Sequence, residues 1–253
     1  MASYLITGSS RGLGLAIVGQ LCARPTSEVS MIFATSRKNN SPQLRELLVR
    51  SSGRLSFVQL DTTNQESVQE AVKQVEQQLQ GKGLDVLVNN AGVMPITREG
   101  IEKMDALTET FNTNVTGTHM VTSAFLPLLR KGERKLVTNI SSTMGSITMA
   151  PIYKPIPTPE YKITKAALNM LTKQYAQNLA DEGFTFLSVC PGWLQTDMGG
   201  SRADLPVATG AEAVMRIMST ASSELNGLFM NIHVPGWEEN PGPNKYDGKE
   251  IPW

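Results

Sequence analysis

Cysteine and histidine are nearly absent from this chain, which has two of each among 253 residues. Cys22, in an expected helix, and Cys190, at the end of an expected buried strand, offer no disulfide framework and no metal spacing, so both read as core thiols. His119 and His233 stand apart from any ligand-like cluster and read as structural. Charge of either sign is not in excess: 23 basic and 23 acidic residues balance, with a pI near 6.8. That balance leaves no broad electrostatic footprint for nucleic acid or for an anionic membrane. The implied partner is a small molecule, with a second copy of the chain left open. A long apolar stretch and a basic leader are also lacking, since Met1-Ala-Ser-Tyr-Leu-Ile-Thr-Gly8 runs directly into a strand and a loop. A cytoplasmic location is therefore expected. The sequons Asn114-Val-Thr and Asn139-Ile-Ser count against secretion, because glycans there would fall inside the expected cleft.

What is present is an alternation of short apolar runs with longer amphipathic stretches, the pattern of βαβ units and of a parallel sheet covered on both faces. Strands are expected near 3–7, 28–35, 55–59, 84–88, 134–140, 184–190 and 227–232. Helices are expected near 12–23, 42–51, 64–80, about 100–130, 160–181 and 209–221. The fold class is thus α/β, a Rossmann-type doubly wound seven-stranded parallel sheet flanked by helices, with its ligand crevice at the carboxyl ends of the strands. No repeat or low-complexity linker divides the chain, so residues 1–253 are expected to form one domain. Two segments interrupt the alternation. Ala150 to Pro159 carries four prolines and is expected to be an extended loop. The tail 235–253 is irregular, but its two tryptophans, Trp237 and Trp253, suggest packing against the body.

In Thr7-Gly-Ser-Ser-Arg-Gly-Leu-Gly14 three glycines lie where a strand turns into a helix. Backbone N–H groups and the helix N-terminus can there approach a pyrophosphate. The spacing, Gly-x-x-x-Gly-x-Gly, differs from the dinucleotide fingerprint Gly-x-Gly-x-x-Gly, and a tight turn is the plainer alternative. The second strand ends in Ser36-Arg37, where an NAD enzyme would present an acidic residue. A guanidinium there suits a 2′-phosphate, with Arg11 approaching from the glycine loop, and this favours NADP over NAD. The alternative for Arg37 and Lys38 is a solvated loop pair. Asp61, after the third strand, either accepts a hydrogen bond from an adenine amino group or caps the next helix. In Asn89-Asn90-Ala91-Gly92, after the fourth strand, the small residues allow a ribose close to the backbone, or form an ordinary turn.

Ser141-Ser142 closes the fifth strand, Tyr161-Lys-Ile-Thr-Lys165 opens the following helix, and Pro191-Gly-Trp-Leu-Gln-Thr-Asp197 follows the sixth strand. A Tyr four residues before a Lys is weak alone, but in this order, after a glycine loop, the set resembles the short-chain dehydrogenase/reductase family over residues 3–232. Within it, Pro191-Gly-Trp, Thr196-Asp-Met-Gly-Gly200 and the ending Asp247-Gly-Lys-Glu-Ile-Pro-Trp253 are similar to sniffer-type carbonyl reductases and C-factor-like proteins. Leu21-Cys-Ala-Arg-Pro25 is more loosely similar to fungal norsolorinic-acid-type ketoreductases. The resemblance implies a catalytic set of Asn114, Ser142, Tyr161 and Lys165. Tyr161 would give a proton to a substrate carbonyl oxygen as hydride arrives from NADPH. Lys165, one turn on, would lower the phenol's pKa and hold the ribose. Ser142, matching the second position of its pair, would orient the carbonyl. Asn114, rather than Asn112, would bind a water that leads from Lys165 to solvent. The cofactor set it implies comprises Gly8, Ser10, Arg11, Gly12, Leu13, Gly14, Ser36, Arg37, Asp61, Asn90, Ala91, Gly92, Tyr161, Lys165, Pro191, Gly192, Leu194 and Thr196. Of these, Thr196 would hold the carboxamide.

The interval from Ser142 to Tyr161 is longer than the common family pattern. Met144, Ile147, Met149, Ile152 and Tyr153 are expected to wall a substrate pocket within the loop 143–160, or else to pack on one another. Trp193, Leu194 and Met198, in the loop 193–206, would form a second wall. The function implied is NADPH-dependent reduction of a ketone or aldehyde of a hydrophobic or aromatic small molecule. Alternatives are an NADP-dependent alcohol dehydrogenase, a secondary-metabolism enzyme using the pocket for dehydration or cyclisation, and a non-catalytic NADP-binding regulator.

Overall fold

The structure is a computed structural model that describes residues 1–39 and 41–253. Its strands are β1 (Ala2–Ile6), β2 (Val29–Ser36), β3 (Leu55–Gln59), β4 (Val86–Asn89), β5 (Leu136–Ile140), β6 (Thr185–Cys190) and β7 (Phe229–Asn231). All pair in parallel in the order β3-β2-β1-β4-β5-β6-β7. The order reverses between β1 and β4, which opens a crevice at their carboxyl ends. Strand bounds fall within about two residues of those read from apolar runs.

Why each strand reads as an unbroken apolar run follows from what covers it. Successive side chains point to opposite faces, and both faces are buried here. Tyr4 and Ile6 enter one core with Ile32, Val86 and Val189, against α1 (Gly12–Ala23) and α7 (Val207–Thr220). Leu5 enters the other with Phe33, Leu87 and Phe186, against α3 (Gln65–Leu79) and α5 (Gly117–Lys131). α3 shows how sequence makes the covering layer: Asn64 accepts from Ser67 N at 2.8 Å as its N-cap, and Val68, Ala71, Val75 and Leu79 form one buried stripe. Ser41 caps α2 (Pro42–Arg50) in the same way, with a proline at N1.

The helix expected over about 100–130 is shorter and less regular. A 3₁₀ turn at Ile101–Lys103 precedes α4 (Leu107–Phe111), which continues into α5 through a π-helical stretch, Asn112–Thr116. Tertiary bonding of Asn114, described below, accompanies this irregular turn and overrides simple periodicity. The proline-rich segment is not extended but wound into consecutive turns, with Ile152 N donating to Met149 O at 3.0 Å and Ile156 N to Tyr153 O at 3.1 Å. It leads into α6 (Pro159–Asn178).

In the tail, Trp237 packs on Tyr246 and Trp253 stacks on Phe229, with ring centres 5.3 and 5.5 Å apart. Among the described residues, no helix is long and apolar enough to cross a membrane. Cys22 is partly buried and Cys190 buried, both as free thiols. The sequon residues Asn114 and Asn139 are buried as well.

Candidate active site

A cleft of about 1770 Å³ runs along the carboxyl edge of the sheet. Of the catalytic and cofactor-binding residues expected from sequence, all line it except Gly14 and Asn114, which pack against residues that do. At one end the β1–α1 loop enters the helix with Arg11 as an extended N-cap residue, and no side chain caps the first turn. The free N–H groups of that turn suit an acceptor of negative charge. Gly14 makes the tight turn feasible, since a Cβ there would lie 2.5 Å from Gly8 O and 2.6 Å from Asn90 Nδ2. Asn90 braces the same loop by donating to Thr7 O at 2.9 Å and to Gly8 O at 3.1 Å.

Ser36 and Arg37 line the cleft where β2 ends, with Ser36 Oγ donating to Lys38 O at 2.8 Å. Asp61 does not cap α3, because Asn64 does. It instead accepts from Thr63 N at 3.0 Å and Thr63 Oγ1 at 2.7 Å. Burial opposes its ionisation, but those bonds and the charge of Arg37 outweigh burial and hold the carboxyl below its ordinary range. Arg11 is engaged across the cleft with Asp197 at 3.0 Å, both side chains exposed. Thr196, beside it, accepts from Gly199 N at 3.1 Å.

In the middle of the cleft, Ser142, Tyr161 and Lys165 come together. Pro159 at N1 starts α6, which places Tyr161 and Lys165 one turn apart on its buried face. Ser142 reaches them because the 3₁₀ turn after it, Thr143–Gly145, lies directly on α6. A Cβ on Gly145 would sit 2.7 Å from Lys165 backbone. Ser142 Oγ accepts from Met144 N at 3.2 Å, whereas Ser141 Oγ is committed to Asn169 Oδ1 at 2.6 Å. Lys165 Nζ donates to Ile140 O at 2.7 Å and lies 5.4 Å from the centre of the Tyr161 ring.

Burial pushes the Tyr161 phenol above its ordinary range, and the Ser142 hydroxyl draws it partly back. Burial likewise lowers Lys165 to about 8. A charge on Cys190 would raise both groups, adding to the shift of Tyr161 and opposing that of Lys165, but burial pushes its thiol up too, so it stays neutral near working pH and desolvation is the operative cause. Asn114 makes three side-chain bonds: Nδ2 donates to Val93 O and to Thr164 Oγ1, each at 3.0 Å, and Oδ1 accepts from Val93 N at 2.9 Å. It ties the loop after β4 to α6.

At the far end, Met144, Met149, Ile152 and Tyr153 form one wall and Trp193, Leu194 and Met198 another. Ile147 is not among them. It is 76% exposed and faces outward beside Trp253. The tail also lines this end, through Asn244 and Tyr246 among others, a contribution that sequence reading missed. The tail's irregular composition carries no periodicity that would have revealed it.

A family model described as short chain dehydrogenase matches residues 3–205. The short-chain dehydrogenase/reductase atnB of Arthrinium sp is 34% identical over 244 residues, 90% of this chain and 87% of that protein. Among solved structures, carbonyl reductase Sniffer of D. melanogaster is 31% identical with a TM-score of 0.87, and covers 100% of both chains. The NADPH-bound carbonyl reductase from chicken fatty liver is 30% identical with a TM-score of 0.86, covering 100% of this chain and 99% of that one. The chain belongs to the short-chain dehydrogenase/reductase family and is an oxidoreductase.

Proposed function

We propose that this family member is an NADPH-dependent reductase of a ketone or aldehyde carried on a hydrophobic or aromatic small molecule, with Tyr161 as proton donor. The observation that carries the reading is the convergence of Ser142, Tyr161 and Lys165 in one cleft with the uncapped N-terminus of α1 and with Arg37. Likeness to two carbonyl reductases, one of them NADPH-bound, supports it.

The residues present fit the dinucleotide. The first turn of α1 offers N–H donors without side-chain competitors, and the close packing of Gly14 on Gly8 keeps that turn tight. Arg37 and Ser36 would receive a 2′-phosphate, while no carboxylate occupies the strand end to favour a free ribose hydroxyl. When bound, NADPH supplies a hydride to the carbonyl carbon. As that carbon is reduced, the carbonyl π electrons move onto oxygen, which takes the Tyr161 phenolic proton. A phenol raised by burial holds its proton until the oxygen gains charge. Lys165, still largely an ammonium near neutral pH, faces the ring on which negative charge develops. Ser142 supplies a hydroxyl to orient the carbonyl.

The test is to follow absorbance loss of NADPH and of NADH in parallel with purified protein and a panel of aromatic ketones, quinones and aldehydes. Turnover with preference for NADPH is expected. Failure to bind either nicotinamide, or a preference for NADH, would contradict the reading.

A further inference from the structure

Three irregular segments wall the substrate end of the cleft, and one carboxylate joins them. Tyr153 belongs to the proline-rich segment, Trp193 to the loop after β6, and Asn244 and Tyr246 to the tail, and all four line the cleft. Asp204 does not line it but lies behind. Its Oδ2 accepts from Tyr246 Oη at 2.5 Å and from Asn244 Nδ2 at 2.8 Å. Tyr246 Oη in turn accepts from Trp193 N at 3.1 Å, and Asn244 Oδ1 from Tyr153 Oη at 3.3 Å.

We propose that Asp204 is a positioning residue that fixes this wall and thereby sets the bulk of the carbonyl compound the cleft admits, a proposal that rests on the reductase reading above. These segments carry isolated bridges rather than any long ladder. Turns and loops keep their relative places only through such cross-links, and buried hydroxyls and amides require partners. Tyr153 and Tyr246 are both buried, at 4% and 2% exposure. Bonds to a carboxylate are the stronger kind, and two of the four links end on it. Further bonds fasten the ends of the network: Leu205 N donates to Trp193 O at 3.1 Å, and Asn231 Nδ2, where β7 ends, donates to Lys245 O at 2.6 Å. Without the Asp204 carboxylate, Tyr246 and Asn244 lose their common acceptor, and their bonds to Trp193 and Tyr153 are left without a shared anchor that fixes the two side chains relative to each other.

The experiment compares the full-length protein with Asp204→Ala, using NADPH, a multi-ring aromatic ketone and a small aliphatic aldehyde. For the aromatic ketone, KM is expected to rise roughly tenfold with kcat nearly unchanged, the aldehyde's constants to stay put, and the Kd for NADPH to be unaltered. Asp204→Asn keeps one carbonyl acceptor and should fall between. Tyr246→Phe deletes only the hydroxyl and should raise the ketone KM in the same direction, which keeps the test available if the alanine variant fails to fold. Ketone affinity is also read without turnover, by quenching of tryptophan fluorescence. If the parent binds the ketone but does not reduce it, the reductase reading falls while the affinity ratio between parent and variant still tests the wall. Equal loss of kcat for both substrates, no change in either, or a parent that binds no ketone would overturn the proposal.

Discussion

Lys165 Nζ donates to the Ile140 carbonyl at the end of β5 while standing 5.4 Å from the centre of the Tyr161 ring. The ammonium thus links the sheet to α6 and faces the phenol, with both side chains buried at the cleft wall.

Burial lowers Lys165 to about 8 from an ordinary 10.5. Between those two values the unfolded chain holds a proton that the folded chain does not, so stability rises with pH across this window. Below it both forms are charged, and the cost of the buried ammonium is fully present. Lys165→Met should therefore be more stable than the parent by roughly 1–3 kcal/mol at about pH 7, while losing turnover. The stability gap should narrow towards pH 10.5. Denaturant unfolding as a function of pH checks this, and a gap independent of pH would contradict it.

Arg37 occupies the strand end where an acidic residue would select the free ribose. Arg37→Ala should weaken NADPH binding roughly tenfold to a hundredfold, leaving NADH nearly unaffected, because only the 2′-phosphate loses a charged partner. Fluorescence titration with the two cofactors measures the ratio, and equal weakening of both would refute the assignment.

Much of this was legible in the sequence, for physical reasons that differ by element. Strand β1 was readable because both of its faces are buried, which forces an unbroken apolar run. The glycine turn and the Tyr161–Lys165 spacing were readable because each depends on neighbours in the chain. The start of the helix expected over about 100–130 was not, since the π-helical stretch at Asn112–Thr116 is bonded through Asn114 to Val93 and Thr164, contacts that periodicity does not encode. Arg11 finds Asp197 186 positions away, and Asp204 finds Tyr246 42 positions away. Such pairings between loops leave no local pattern. Ile147 looked like a wall residue by its neighbours, but the turns after Ser142 point it outward.

Two glycines of α1 give opposite outcomes. At Gly14 an added Cβ meets Gly8 O and Asn90 within 2.6 Å, atoms that cannot yield without moving the loop. Gly14→Ala should cost roughly 1–3 kcal/mol or more and abolish NADPH binding. At Gly19, inside the helix, the nearest atom is Leu47 Cδ1 at 3.8 Å, so Gly19→Ala should stabilise by about 0.5–1 kcal/mol. Thermal unfolding of the two variants separates the cases, and similar shifts in both would count against the packing argument.

The most direct measurement is turnover of Tyr161→Phe alongside its NADPH affinity. The ring and its packing remain, and only the proton-donating hydroxyl is lost. NADPH is expected to bind as in the parent while carbonyl reduction falls by about 10²- to 10⁴-fold, the usual contribution of a positioned general acid. Reduction within a few-fold of the parent, with NADPH binding intact, would contradict Tyr161 as the proton donor.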